Sequence, residues 1–226
     1  MDVWIFDLDN TLYPASSNLF PQVSARMAAF IAETFALPHD EARALQKRYF
    51  REYGTTMRGL MSNHAVDPHA FLAYVHDIDV SVLPAATALD RALDRLDGRK
   101  LVYTNGSADH AARVLDRLGV ARHFEACFDI VAAEFDPKPD RGAYRRMLAR
   151  HGIEPTRAVM VEDMAVNLEP AHELGMTTVL VRGDGGETVA DGPGADESAD
   201  APAHVHHVTD DLPSWLATIA DALPRR

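Results

Sequence analysis

The chain has 226 residues, with 22 basic side chains against 34 acidic ones and a formal net charge of −12. Hydrophobic residues make up 47% and charged residues 25%, the proportions of a globular chain and not of one disordered throughout. No net field draws in a polyanion, so a nucleic acid polymer or an anionic membrane face is excluded as an expected partner. A small anionic substrate would need positive charge supplied locally.

The sole cysteine, Cys127, rules out an intrachain disulfide or a cysteine cluster for metal. Acidic Asp2 and Asp7 bracket the first apolar run, so no basic and apolar leader is visible. No uncharged apolar stretch approaches the ~20 residues of a membrane helix. The expectation is a soluble cytoplasmic protein, monomeric or homodimeric.

Val3–Phe6 is a short apolar run of the kind that forms a strand buried on both faces. A long stretch without strand pattern follows. There, Phe20–Phe35, Asp40–Tyr53 and Pro68–Asp77 read as helices by apolar spacing. The roughly 70 residues between Tyr13 and Pro84 have room for about four helices of average length. A sheet crossover needs no such length, so a helical insert is expected, hinged near Pro14 and Pro84. This divides the chain into a core of residues 1–13 and 85–226 and a cap of residues 14–84.

From Ala86 onward, helices and strands alternate. Helices are expected at Ala86–Leu96, Ala108–Leu118, Gly142–Arg150 and Val166–Leu174. Strands are expected at Lys100–Tyr103, Phe128–Ala132, Ala158–Val161, Thr177–Val181 and, more weakly, Val205–Val208, before a closing helix at Pro213–Leu223. The pattern predicts an α/β fold: a doubly wound, Rossmann-like parallel sheet with an inserted all-helical cap. Between Gly183 and Ala203, small and polar residues predict a surface loop. Its Gly183–Gly186 segment lacks dinucleotide-binding spacing.

Four segments carry chemistry. Asp7-Leu8-Asp9-Asn10-Thr11 follows the first strand directly. Ligands of open α/β sheets sit beyond the carboxyl ends of the strands. Two acids there can divide labour, one attacking beside a cation while the other carries the proton. Thr104-Asn105-Gly106-Ser107 opens a helix after the second strand. A hydroxyl, an amide and free N–H groups make an anion cradle, although Asn105 or Ser107 could serve only as a helix cap. In Asp136-Pro137-Lys138-Pro139-Asp140, the following proline biases Lys138 away from helical geometry. The alternatives are a fixed positive charge beside a phosphate and an exposed loop lysine. Glu162-Asp163 ends a further buried strand, with Asn167 on the next helix. With Asp7 the pair can complete an all-oxygen site for a hard cation such as magnesium, or Asp163 can simply cap that helix. His204, His206 and His207 form a peripheral patch. On a strand, His204 and His206 would share one face, as solvated side chains.

In this order the four segments resemble the haloacid dehalogenase-like hydrolase superfamily, and the helical insert resembles its cap. The resemblance covers nearly the whole chain. Within the superfamily, Asp7–Pro14 (DLDNTLYP) together with Tyr53–Leu60 (YGTTMRGL) is most similar to the pyrimidine 5′-nucleotidase group. The resemblance implies a Mg²⁺-dependent phosphate monoester hydrolase. Asp7 would attack phosphorus and become an aspartyl phosphate. Asp9 would protonate the leaving alkoxide and then take a proton from water. Mg²⁺ would sit on Asp7, the backbone carbonyl of Asp9 and Asp163, with Glu162 acting through water. Thr104, Asn105 and Lys138 would hold the phosphoryl oxygens. Tyr53 and Arg58 of the cap would meet the leaving group of a small phosphorylated metabolite, a pyrimidine nucleoside 5′-monophosphate. Arg58 could instead pair with an acidic group on the core. Another phosphometabolite, or a sugar phosphomutase, is the alternative. A 2-haloacid dehalogenase is disfavoured, because such enzymes usually lack an acid at the position of Asp9.

Overall fold

The computed structural model describes residues 1–183 and 201–222. Most of the loop expected at Gly183–Ala203 therefore lies outside the described residues. Six strands form one sheet in the order β3-β2-β1-β4-β5-β6. They are β1 (Val3–Phe6), β2 (Arg99–Tyr103), β3 (Ala126–Phe128), β4 (Ala158–Glu162), β5 (Thr177–Val181) and β6 (His207–Thr209). Every neighbouring pair is parallel.

β1 lies at the centre, and all four of its residues are buried. Side chains alternate across a strand, so β1 feeds both faces. Trp4 and Phe6 join one apolar cluster, with Leu93 and Val114 of the helices α5 (Thr87–Arg95) and α6 (Ala108–Leu118). Val3 and Ile5 join the other, with Tyr144 and Leu168 of α7 (Arg141–His151) and α8 (Ala165–Glu173). Burial of each large side chain contributes about 1.5–3 kcal/mol. A closing helix, α9 (Leu212–Ala222), sets Trp215 edge-on against Trp4.

Between β1 and α5, the helix that leads into β2, stand four α-helices: α1 (Leu19–Phe35), α2 (His39–Tyr53), α3 (Thr56–His64) and α4 (Pro68–Val75). The third was not among the helices expected from sequence. Gly54, at φ 79°, ends α2, and Thr55 restarts the chain by accepting a hydrogen bond from Arg58 N. One apolar cluster runs from Trp4 and Phe6 into the insert through Val23, Leu60 and Phe71.

Two strands differ from expectation. β3 ends at Phe128 because Asp129 turns the chain, its Oδ1 accepting from Ala132 N and its Oδ2 from Ala108 N, both at 2.9 Å. β6 begins only at His207. His204 therefore lies before the strand and bonds through Nε2 to Ala165 O at 2.8 Å, while His206 Nδ1 accepts from Thr178 N at 3.1 Å. The two do not share a strand face, although His206 stays exposed, as expected. No helix among the described residues is long and apolar enough to cross a membrane.

Candidate active site

Strand register puts the four motifs on one edge. Phe6 is level with Val102 of β2 and Val161 of β4, so the residues that follow all leave the sheet at its carboxyl end. Asp7 N is still held by Val161 O at 2.9 Å, and Thr104 N by Phe128 O at 3.1 Å. The turn after Asp7 is tight: Leu8 O accepts from Thr11 N and Leu12 N, and Asn10 takes a left-handed φ of 63°.

Lys138 is 2% exposed and is not a loop lysine in solvent. Its three N–H groups all have partners: Asp7 Oδ1 at 2.6 Å, Glu162 Oε1 at 2.8 Å and Tyr103 O at 3.0 Å. Burial works against its charge, but the two carboxylates overcome that and hold the ammonium well above its usual range. The other oxygen of Asp7 accepts from Thr11 Oγ1 at 3.0 Å. The Lys138–Pro139 peptide bond is cis, and Asp140 then caps α7 by accepting from Ala143 N.

Glu162 is fully engaged. Oε1 takes Lys138 and Asn167 Nδ2, the latter at 2.6 Å, and Oε2 takes Met164 N at 2.7 Å. Asp163 does not cap α8; that position belongs to Met164, with no side-chain cap. The carboxylates of Asp7, Glu162 and Asp163 offer oxygens all within 4.8 Å of one another. One ammonium faces three acids. Burial raises Asp7 to about 7, although Lys138 opposes the rise, and burial with the neighbouring Glu162 and Asp7 charges drives Asp163 well up. A crowded, largely buried, all-oxygen set with excess negative charge fits a hard divalent cation.

Asp9 is held apart from this cluster. Its Oδ1 accepts from Tyr13 OH at 2.6 Å and His110 Nε2 at 2.9 Å. Burial would raise this carboxyl, but His110 and the two hydrogen bonds prevail and hold it at about 2. Thr104 Oγ1 accepts from Gly106 N at 2.9 Å. Asn105, expected on phosphate, uses its amide on the main chain of Lys138. Ser107 is the helix cap, accepting from His110 N.

These groups open into a cavity of about 300 Å³ that also borders the helical insert. The insert's wall is largely apolar, with Phe20, Val23, Met27, Phe50, Phe71 and Leu72. Gln46 lies among them, its Nε2 donating to Ser24 Oγ at 3.1 Å, and Arg43 and Lys47 also border the space. Tyr53 and Arg58 do not line it, which corrects the expectation from sequence. Tyr53 meets Tyr49 edge-on and donates to Asn63 Oδ1 at 3.4 Å. Arg58 crosses to the core, donating to Phe135 O at 3.1 Å and pairing with Asp136, whose other oxygen takes Arg146 at 2.7 Å. Sequence reasoning missed Tyr13 and His110. Their only local signals are an aromatic four residues after Asp9 and a histidine in the first turn after the second motif.

A family model described as haloacid dehalogenase-like hydrolase matches residues 1–175. The chain belongs to the haloacid dehalogenase-like hydrolases. A second, HAD-hydrolase-like model matches residues 136–215. A curated relative, Phosphate metabolism protein 8 of Saccharomyces cerevisiae, is 29% identical over 196 residues, 79% of this chain. The chain spans 60% of the length of that relative. Among solved structures, the HAD phosphatase from Thermococcus onnurineus matches at a TM-score of 0.60 and 17% identity, over 97% of both chains. The L-2-haloacid dehalogenase from Xanthobacter autotrophicus matches at 0.59 and 14%, over 97% of this chain and 98% of that one. Phosphatase and dehalogenase thus share the fold of this haloacid dehalogenase-like hydrolase, and fold alone does not choose between them.

Proposed function

We propose that this hydrolase cleaves phosphate monoesters through phosphorylated Asp7, with a magnesium ion in the acidic cluster and pyrimidine nucleoside 5′-monophosphates as preferred substrates. The observation that carries the reading is the division between two acids. Asp7 is held by Lys138 at 2.6 Å, while Asp9, two residues on, is held separately by Tyr13 and His110. One acid is kept beside positive charge for attack, and the other is set aside for proton transfer. A dehalogenase has no use for the second.

In this reading, Asp7 Oδ attacks phosphorus and the ester P–O bond breaks. Asp9, ionised in the resting site, takes up a proton when the phosphate dianion comes to lie beside it and gives that proton to the departing alkoxide oxygen. Asp9 then takes a proton from water, whose oxygen attacks the phosphorus of the acyl phosphate, and Asp7 is released with inorganic phosphate. Lys138 and the Thr104 hydroxyl stabilise the phosphoryl oxygens, where positioning and charge do most of the catalysis. Asp7, the Asp9 carbonyl and Asp163 would hold Mg²⁺, with Glu162 acting through water; bound there, the ion would neutralise charge on the transferring group.

We take residues 14–84 as the cap and residues 1–13 with 85–226 as the core. The cap supplies the leaving-group wall. Three phenylalanines suit a flat base better than a polyhydroxylated sugar, because aromatic faces stack and cannot satisfy hydroxyls. That disfavours a sugar phosphate or a sugar phosphomutase. The yeast relative is named for phosphate metabolism, in keeping with this reading.

The test is phosphate release across a panel holding UMP, CMP, purine monophosphates and hexose phosphates, with Mg²⁺ and with EDTA. UMP and CMP should lead, and EDTA should abolish release. Full turnover in EDTA would reject the metal. A sugar phosphate hydrolysed best would reject the base-binding wall and leave the phosphatase reading standing.

A further inference from the structure

We infer that His110 is a positioning residue for Asp9, braced by His76 where the chain returns from the helical insert. The inference rests on the reading of Asp9 as proton carrier.

A carboxylate on a short side chain can turn about its last bond. Here one oxygen, Oδ1, takes both Tyr13 OH and His110 Nε2, and Oδ2 has no protein partner among the described residues. Tethering one oxygen fixes the direction of the other. Since an ionised carboxylate only accepts, Nε2 carries the hydrogen in this bond.

His110 is 1% exposed, and its Nδ1 has no partner among the described residues. Its one side-chain hydrogen bond therefore goes to Asp9. A ring needed only for packing would fit better as an apolar one, because a buried polar atom left unpaired costs stability. The ring is instead held by its neighbours. It stacks on His76 with centroids 4.3 Å apart and planes 9° from parallel. His76 Nδ1 bonds to Ser107 Oγ at 2.9 Å, and the same oxygen accepts from His110 N at 3.3 Å. Arg113, one turn further along α6, donates to His76 O at 2.8 Å and Ile78 O at 2.6 Å. One face of α6 thus grips the returning chain and presses His76 onto His110. Gly106 leaves room for both rings: a Cβ there would lie 3.3 Å from His110 Cδ2 and 3.6 Å from His76 Nε2.

The test compares His110→Phe, which keeps a stacking ring without the donor, with His110→Gln, which restores an N–H. The esters are UMP, whose alkoxide needs protonation, and p-nitrophenyl phosphate, whose phenolate needs little. In His110→Phe, kcat for UMP should fall on the order of 100-fold, with a much smaller fall for p-nitrophenyl phosphate. His110→Gln should recover part of the loss on UMP. Equal losses on both esters, or no recovery by glutamine, would overturn the inference. A crystal structure of His110→Phe gives a reading free of activity: Asp9 should leave its present orientation, and an unmoved Asp9 would overturn the inference. If the native protein cleaves neither ester, the phosphatase reading fails, and the orientation of Asp9 still decides the positioning role.

Discussion

The side chain of Asn105 closes on the main chain of Lys138 from both sides: Oδ1 accepts from Lys138 N at 2.8 Å, and Nδ2 donates to Lys138 O at 3.4 Å. The second motif thereby holds the third. Asn105→Ala should leave the lysine in place chemically but loosen it, lowering kcat on the order of 100-fold, the scale set by small misplacements of a reacting group. Steady-state kinetics check this; a change confined to KM would return Asn105 to direct phosphate binding.

Lys138→Ala should cost activity and stability together. Loss of one charge-stabilising donor raises the barrier by about 2.7–4 kcal/mol. Loss of one partner from a buried ion pair destabilises by about 3–5 kcal/mol. The remaining acids can relieve the strain by taking protons, so the stability loss should be smaller at pH 4 than at pH 8. Denaturant titrations at the two pH values measure it, and a loss that does not change with pH would contradict the picture of a buried acidic cluster.

Without metal, the acidic cluster should take stability away as pH rises from about 4 to 7, against His76, whose burial lowers it to about 3 and adds stability over the same range. Unfolded, Asp7 gives up its proton near 3.8; folded, near 7. Between those values the folded state holds a proton that the unfolded chain has lost, so stability falls with pH. Asp163 shifts the same way. A divalent cation replaces those protons and should raise Tm most at the alkaline end. Melting curves against pH, with Mg²⁺ and with EDTA, would show the two series diverging upward in pH; parallel series would count against a cation in this cluster.

Arg58→Ala should lower kcat/KM for UMP and p-nitrophenyl phosphate by the same factor, because Arg58 bridges to Phe135 and Asp136 and does not border the cavity. Its side chain is 40% exposed, so the pair itself should be worth no more than about 1 kcal/mol of stability. Phe50→Ala should separate the two substrates, costing UMP about 1 kcal/mol more through lost stacking on the base. Paired kinetic measurements on both variants decide it.

Gly59→Ala should destabilise the insert by about 1–3 kcal/mol, the usual cost of overpacking. A Cβ at this position would collide with the Tyr49 side chain, whose hydroxyl is fixed on His64 Nε2 at 2.6 Å. Thermal melting followed by circular dichroism would register it.

Much of the fold could be read from the chain because its signals are local. Val3–Phe6 and Ala158–Val161 are unbroken apolar runs, and the acids that end them mark the carboxyl edge of the sheet. α3 escaped because it is only nine residues long and lies two residues after α2, and its start depends on Gly54 turning left-handed. β3 was misplaced because Ile130 and Val131 prolong an apolar run that the side-chain bonds of Asp129 bend into a turn. At the site, which motif residues gather at the carboxyl edge was legible, and most of their partners were not. His110 meets Asp9 across 101 positions, Asn105 meets Lys138 across 33, and Arg58 meets Asp136 across 78. Those meetings depend on which strands lie side by side, and no short window of sequence carries that order.

The chain leaves the sheet after Phe6 and returns to it at Arg99. Around the cavity, the residues from Phe20 to His76 all come from the stretch between Tyr13 and Pro84, whereas the acids, the lysine and the second-motif loop come from outside that stretch. On the proposed reading, the wall that meets the alcohol and the groups that act at phosphorus are therefore written in separate stretches of the chain. A single exchange of residues 14–84 would replace one whole side of the chamber while leaving Asp7, Asp9 and every strand pairing untouched. Such a scaffold can diversify by recombination as readily as by point mutation, and chimeras joined at the two linkers are the natural way to trade one range of esters for another.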